Sequence, residues 1–171
     1  NAGLDSPPSA PPEDTGTFEG YPESSWDKVL EVNLKGIFLT CQVYGAEMAK
    51  NNYGSIINIS SIYGSVSPDQ SIYQYLRDEG NEFYKPISYS VSKSGILNLT
   101  RYLATYWAKQ GVRVNTLTLA GVLAGQDQRF LDAYCNRIPI GRMADLHEFN
   151  GAILFLASSA STYMTGSNLV I

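Results

Sequence analysis

The chain has 171 residues, 44% hydrophobic and 16% charged, which suits one globular domain with a sizeable core and not two. Its 12 basic and 16 acidic residues are dispersed, leave a net charge of −4, and argue against a nucleic-acid partner. Two distant cysteines, Cys41 and Cys135, and a single histidine, His147, argue against zinc; no apolar run approaches the about 20 residues of a membrane helix.

Residues 4–23 carry Pro7, Pro8, Pro11, Pro12 and Pro22 among Ser, Gly, Asp and Glu, a composition that predicts an extended loop. A helix is expected from Ser24 or Ser25, as the capping residue, to Ala49 or Lys50. Val29, Leu30, Leu34, Ile37, Phe38 and Cys41 give it a broad apolar face at helical spacing. Ser55-Ile56-Ile57-Asn58-Ile59-Ser60 predicts a short buried strand. Residues 62–87 are polar and aromatic without sustained periodicity. A second long helix follows from Ser88 to Lys109 on Ile96, Leu97, Leu99, Leu103 and Trp107, with Gly111 at its end.

Val112 to Thr118 reads as a strand, and Ala120-Gly121 turns the chain. Helices are expected at 127–135 and from Asp145, which has capping-box spacing to Glu148; Ala152, Ile153, Leu154, Phe155 and Leu156 should bury the latter. Asn168-Leu169-Val170-Ile171 fits a last short strand. Helices alternating with strands predict a parallel α/β sheet in one domain, 1–171.

Tyr89 and Lys93 stand four apart on the second long helix and share a face. A nearby ammonium favours phenolate and makes tyrosine a usable general acid/base. Such a pair is also common on ordinary helix surfaces. Ser61 lies just past the carboxyl end of the first predicted strand, where open α/β sheets place ligand-binding groups; it equally suits a strand-end turn. Asn33 interrupts an apolar helix, where it can anchor a water, bend the helix or sit exposed.

Taken in order, Asn1-Ala2-Gly3, Val32-Asn33-Leu34-Lys35-Gly36, Ile57-Asn58-Ile59-Ser60-Ser61, Tyr89-x-x-x-Lys93, Val112-Arg113-Val114-Asn115 and Phe155-Leu156-Ala157-Ser158 with Thr165-Gly166 resemble the short-chain dehydrogenase/reductase family. The resemblance covers nearly the whole chain. It implies the C-terminal portion of a Rossmann-type doubly wound parallel sheet. It also implies hydride transfer between a small-molecule alcohol or carbonyl and NAD or NADP. Carried over, Tyr89 is the general acid/base and Lys93 lowers its pKa and binds the nicotinamide ribose. Ser61 steadies the reacting oxygen, and Asn33 holds a water of the proton relay. Asn1, Ala2 and Gly3 would face the adenosine side of the coenzyme, with Ala120, Gly121 and Val122 beside the nicotinamide.

Leu119-Ala120 stands where the family has Pro-Gly, which leaves the geometry of that turn open. The family's glycine-rich phosphate loop has no counterpart, so the chain is expected to be a fragment lacking the N-terminal half. Residues 66–87 exceed the family's usual spacing and form an insertion beside the catalytic groups, either a lid over a polar substrate or a solvated excursion. The insertion and Asn98-Leu99-Thr100-Arg101-Tyr102-Leu103-Ala104 are similar to a subgroup linked to bacterial surface-glycan and flagellin-sugar synthesis. The implied substrate is therefore sugar-related; a generalist oxoacyl or polyol reductase and an inactive truncated fragment are the alternatives. A cytoplasmic homodimer or homotetramer is expected, formed through the two long helices.

Overall fold

The computed structural model describes residues 3–171. Its elements are α1 (residues 23–50), β1 (Gly54–Ser61), α2 (Gln74–Asp78), α3 (Ile87–Trp107), β2 (Val112–Leu119), α4 (Gln128–Cys135), α5 (Asn150–Ala157) and β3 (Asn168–Val170). The strands form one parallel sheet in the order β1-β2-β3, as the alternating pattern predicts. In register, Gly54 lies opposite Val112 and Ser61 opposite Leu119, so both long strands end at the same level.

Two departures concern the first part of the chain. The proline-rich segment is not extended throughout, since Pro12–Asp14 and Phe18–Gly20 each close a tight helical turn. Helix α1 starts at Glu23 behind Pro22, and Ser25 lies inside its first turn, donating its hydroxyl to Asp14 rather than capping. Within α1 the turns Glu31–Lys35 and Cys41–Gly45 are wider than α-helical; the Gly36 N–H reaches back to the Glu31 carbonyl.

The main core lies between the sheet, α1 and α3, where Ile37, Cys41, Ile96, Leu103, Trp107, Val112 and Val114 are buried together. Polar ties cross it. Asn58 on β1 donates to Thr100 on α3 (3.0 Å), and the Thr116 hydroxyl on β2 bonds the same threonine (2.8 Å). These bonds satisfy side chains that burial would otherwise penalise, and they fix strand against helix.

Residues 66–87 hold the short α2 and are not wholly solvated. Ile72, Tyr73 and Phe83 are buried and build a second core with Tyr134 and Met143. At the C-terminal end, the Asp145–Glu148 capping box is present, but it opens a tight turn, Leu146–Phe149, before α5. Of the apolar residues expected to bury α5, only Leu156 is buried; Ile153, Leu154 and Phe155 are exposed because the helix meets the sheet along one narrow face. Among the described residues, no helix is long and apolar enough to cross a membrane.

Candidate active site

Three of the residues singled out by sequence converge where β1 ends and α3 begins. Ser61 terminates β1, and its Oγ accepts the Tyr63 N–H (3.2 Å), turning the chain through Ile62–Gly64. Gly64 sits directly against α3, where a Cβ would come within 2.7 Å of the Lys93 carbonyl carbon and oxygen. Ser60 clamps the same place, donating to the Lys93 carbonyl (2.8 Å). Pro86, extended at φ −65°, precedes Ile87 at the start of α3, so Tyr89 falls in its first turn and Lys93 one turn on.

Tyr89, Lys93, Ser60 and Ser61 line one cavity of about 790 Å³ at the carboxyl ends of β1 and β2. Burial pushes the Tyr89 phenol above its ordinary pKa, and the Ser61 hydroxyl opposes that by hydrogen bonding to the charged form. The lowering by Lys93 expected from sequence is not the dominant effect at this phenol. Burial also pushes the Lys93 ammonium down, against the pull of Asp5. Its Nζ lies 5.8 Å from the Tyr89 ring centroid and donates to the Ile59 carbonyl (3.1 Å).

Asn33 is fully buried in the widened turn of α1, and its amide anchors chain. Its Oδ1 accepts the Leu4 N–H (2.6 Å), and its Nδ2 donates to the Leu4 carbonyl (2.8 Å) and to Ser92 Oγ (3.1 Å). Its side chain therefore ties the segment after Gly3 to the helix bearing Tyr89 and Lys93.

The sequence reasoning missed Asp5 as a site residue and took Lys85 only as part of the insertion. Both line the cavity, where the Lys85 ammonium pairs with the Asp5 carboxylate and lies 5.2 Å from the Tyr89 ring centroid. Lys85 precedes Tyr89 by four residues, but Pro86 stops the helix between them, so helical spacing gave no warning. Tyr63, Tyr73 and Tyr134 add phenols to the same cavity. Burial holds all three in the protonated form, with Tyr63 pushed up to about 12.

The residues expected beside the coenzyme divide. Asn1 and Ala2 lie outside the described residues. A Cβ on Gly3 would approach Asn33 Oδ1 at 3.7 Å and Lys93 Nζ at 3.8 Å, which places Gly3 beside Lys93. Ala120, Gly121 and Val122 line the cavity, but the glycine is required by the protein itself: a Cβ on Gly121 would meet Met143 Cε at 2.4 Å and the Tyr134 ring at 2.8 Å. The donors, the phenols and the strand-end position fit the nicotinamide and ribose end of a dinucleotide. Among the described residues, no group of His, Cys, Asp or Glu is disposed to hold a metal ion.

Comparison with known proteins places this site in context. A family model described as enoyl-(acyl carrier protein) reductase matches residues 8–171. The ribulose-forming D-arabinitol 2-dehydrogenase of Candida tropicalis is 35% identical over 162 residues, 90% of this chain and 53% of that protein. The post-translational flagellin modification protein A of Campylobacter coli is 34% identical over 154 residues, 88% of this chain and 58% of its own length. A solved short-chain dehydrogenase from Leptospira borgpetersenii with bound NAD+ superposes with a TM-score of 0.84 at 32% identity, covering 99% of this chain and 60% of that one. The chain thus spans about half the length of the curated relatives it matches. With the ordered motifs, the parallel sheet and the strand-end Ser–Tyr–Lys cluster in agreement, the chain belongs to the short-chain dehydrogenase/reductase family.

Proposed function

We propose that the protein interconverts an alcohol and a carbonyl with NAD or NADP, on a polar, sugar-related small molecule, and that Tyr89 is its general acid/base. The observation that carries this reading is the meeting of Ser61, Tyr89 and Lys93 in one cavity at the ends of parallel strands. When bound, the nicotinamide supplies or accepts the hydride. Tyr89 exchanges a proton with the substrate oxygen: its phenol donates in carbonyl reduction, and its phenolate accepts the hydroxyl proton in oxidation. Ser61 shares a hydrogen bond with that oxygen and with the phenol. Lys93, already held at the Ile59 carbonyl, holds the nicotinamide ribose and stabilises phenolate. Asn33, fixed against the helix of Lys93 by its bonds to Leu4 and Ser92, holds the water of the proton relay.

The decisive experiment is Tyr89→Phe in the full-length protein. Turnover should fall by about 10²–10⁴ while coenzyme titration gives a nearly unchanged Kd. Wild-type turnover in that variant refutes the assignment.

A homodimer or homotetramer in the cytoplasm completes the reading. Phe38, Val43 and Tyr44 on α1 and Tyr102 and Tyr106 on α3 are exposed, a large apolar set for a monomer's surface. Tyr106→Glu should shift sedimentation toward monomer; an unchanged profile removes these helices from the interface.

A further inference from the structure

We infer that Asp5 and Lys85 form a recognition pair that selects a neutral, multiply hydroxylated alcohol or ketose over a sugar acid, a refinement that rests on the dehydrogenase reading above. The Lys85 side chain is 6% exposed, whereas the Asp5 side chain paired with it is 49% exposed on the cavity side. A buried ammonium is costly unless paired, and the Asp5 carboxylate is the partner that holds it in place.

The insertion is built to hold this lysine. Gln70 clasps its backbone from both directions, Oε1 accepting the Lys85 N–H (2.8 Å) and Nε2 donating to the Lys85 carbonyl (3.0 Å). Arg77 fixes both flanks of that clasp by donating to the Gln70 carbonyl (2.7 Å) and the Phe83 carbonyl (2.8 Å). The adjacent Tyr84 N–H donates to the Thr15 carbonyl (2.8 Å), tying the same strip to the N-terminal loop. The result is a fixed cation beside the ring of Tyr89 rather than a mobile surface lysine.

The bonding left over on the pair defines what it recognises. Oδ1 of Asp5 takes both the Lys85 ammonium and the Ser6 N–H (2.9 Å), and Oδ2 takes no bond among the described residues. The ammonium also donates to the Ser6 carbonyl (3.4 Å), which leaves it one further N–H. One acceptor edge and one donor match a hydroxyl, which gives one hydrogen bond and takes another. A substrate carboxylate only accepts, and Asp5 has already neutralised the cation that would attract it. Facing Oδ2, it meets like charge.

The test uses the full-length protein with its coenzyme and compares kcat/KM for D-arabinitol with that for D-arabinonate, an acid of the same chain length. Wild type should prefer the polyol by at least about tenfold, the discrimination that leaving a buried hydrogen-bonding group unpaired produces. Asp5→Asn removes the charge and keeps the shape; it should lose about tenfold on the polyol, chiefly in KM, and move the ratio toward the acid by about tenfold or more. Lys85→Met should weaken both substrates, the acid more. A wild-type preference for the acid overturns the inference without any variant, as does a folded Asp5→Asn protein with an unchanged ratio. Those results leave the dehydrogenase reading standing. Failure of the wild type on both compounds and on their ketoses, with turnover of an unrelated ketone, overturns the substrate class and the pair together.

Discussion

The two cores of the molecule are assembled from different materials. Between the sheet and the long helices, Ile96, Val112, Val114 and Leu103 recur at strand or helix spacing, and their backbones are satisfied by ladders and helical bonds. In the second core, Ile72, Tyr73 and Phe83 come from tight turns and loop, and polar side chains hold the backbone: Arg77 and Gln70 do what a ladder does elsewhere. A periodic core is stable wherever its elements form. An irregular one depends on a few specific clasps, and it is the one that shapes the cavity wall.

The largest effect that would break this contrast is cavity formation. Ile96→Ala and Phe83→Ala each empty a fully buried site and should cost about 2–5 kcal/mol. Ile96→Ala should lower the melting temperature of the whole fold. Phe83→Ala should open residues 70–85 first, with faster amide hydrogen exchange there and protected amides still in β2. Equal loss of protection across β2 in both variants means that the two cores are one cooperative unit.

The same contrast decides what could be read from sequence. The strand 54–61, helix α3 and the capping box at Asp145 carry periodic or positional signals, and the structure has them within a residue or two. Tyr89, Lys93 and Ser61 were legible because their positions follow from where a strand ends and a helix begins. The widened turns of α1 stretch the buried positions to a spacing of four, Val29, Asn33, Ile37, Cys41 and Gly45, which the broad apolar face with Leu30, Leu34 and Phe38 hid. Residues 66–87 were illegible for a different reason: their order comes from contacts 6 to 80 residues apart in sequence, such as Arg77 to Phe83 and Lys85 to Asp5. The exposed Ile153, Leu154 and Phe155 misled in the opposite sense, because apolar composition alone does not say which face a helix buries.

A smaller and more local effect should follow from removing one clasp. Arg77→Met leaves the Gln70 and Phe83 carbonyls without their donor and should cost about 1–3 kcal/mol in denaturant unfolding. The loss should be confined to the second core, so KM for the substrate should rise more than kcat falls. A kcat loss with KM unchanged would place Arg77 with the proton-transfer groups instead of the wall.

The smallest change acts at the seam of the two cores, where Ser61 ends β1 and Tyr89 opens α3 behind residues 66–87. Ser61 is the group that opposes the burial-driven rise of the Tyr89 pKa. Ser61→Ala removes a hydrogen bond to the phenolate, so the phenol should hold its proton to still higher pH. Oxidation needs phenolate, and the rising limb of its pH profile should therefore move to higher pH. Reduction needs the phenol, and its plateau should extend in the same direction. Both limbs must move together, because one proton governs both directions. A variant that loses rate uniformly, with neither limb displaced, would confine Ser61 to holding the substrate oxygen and leave burial and the neighbouring charges to set the tyrosine's acidity.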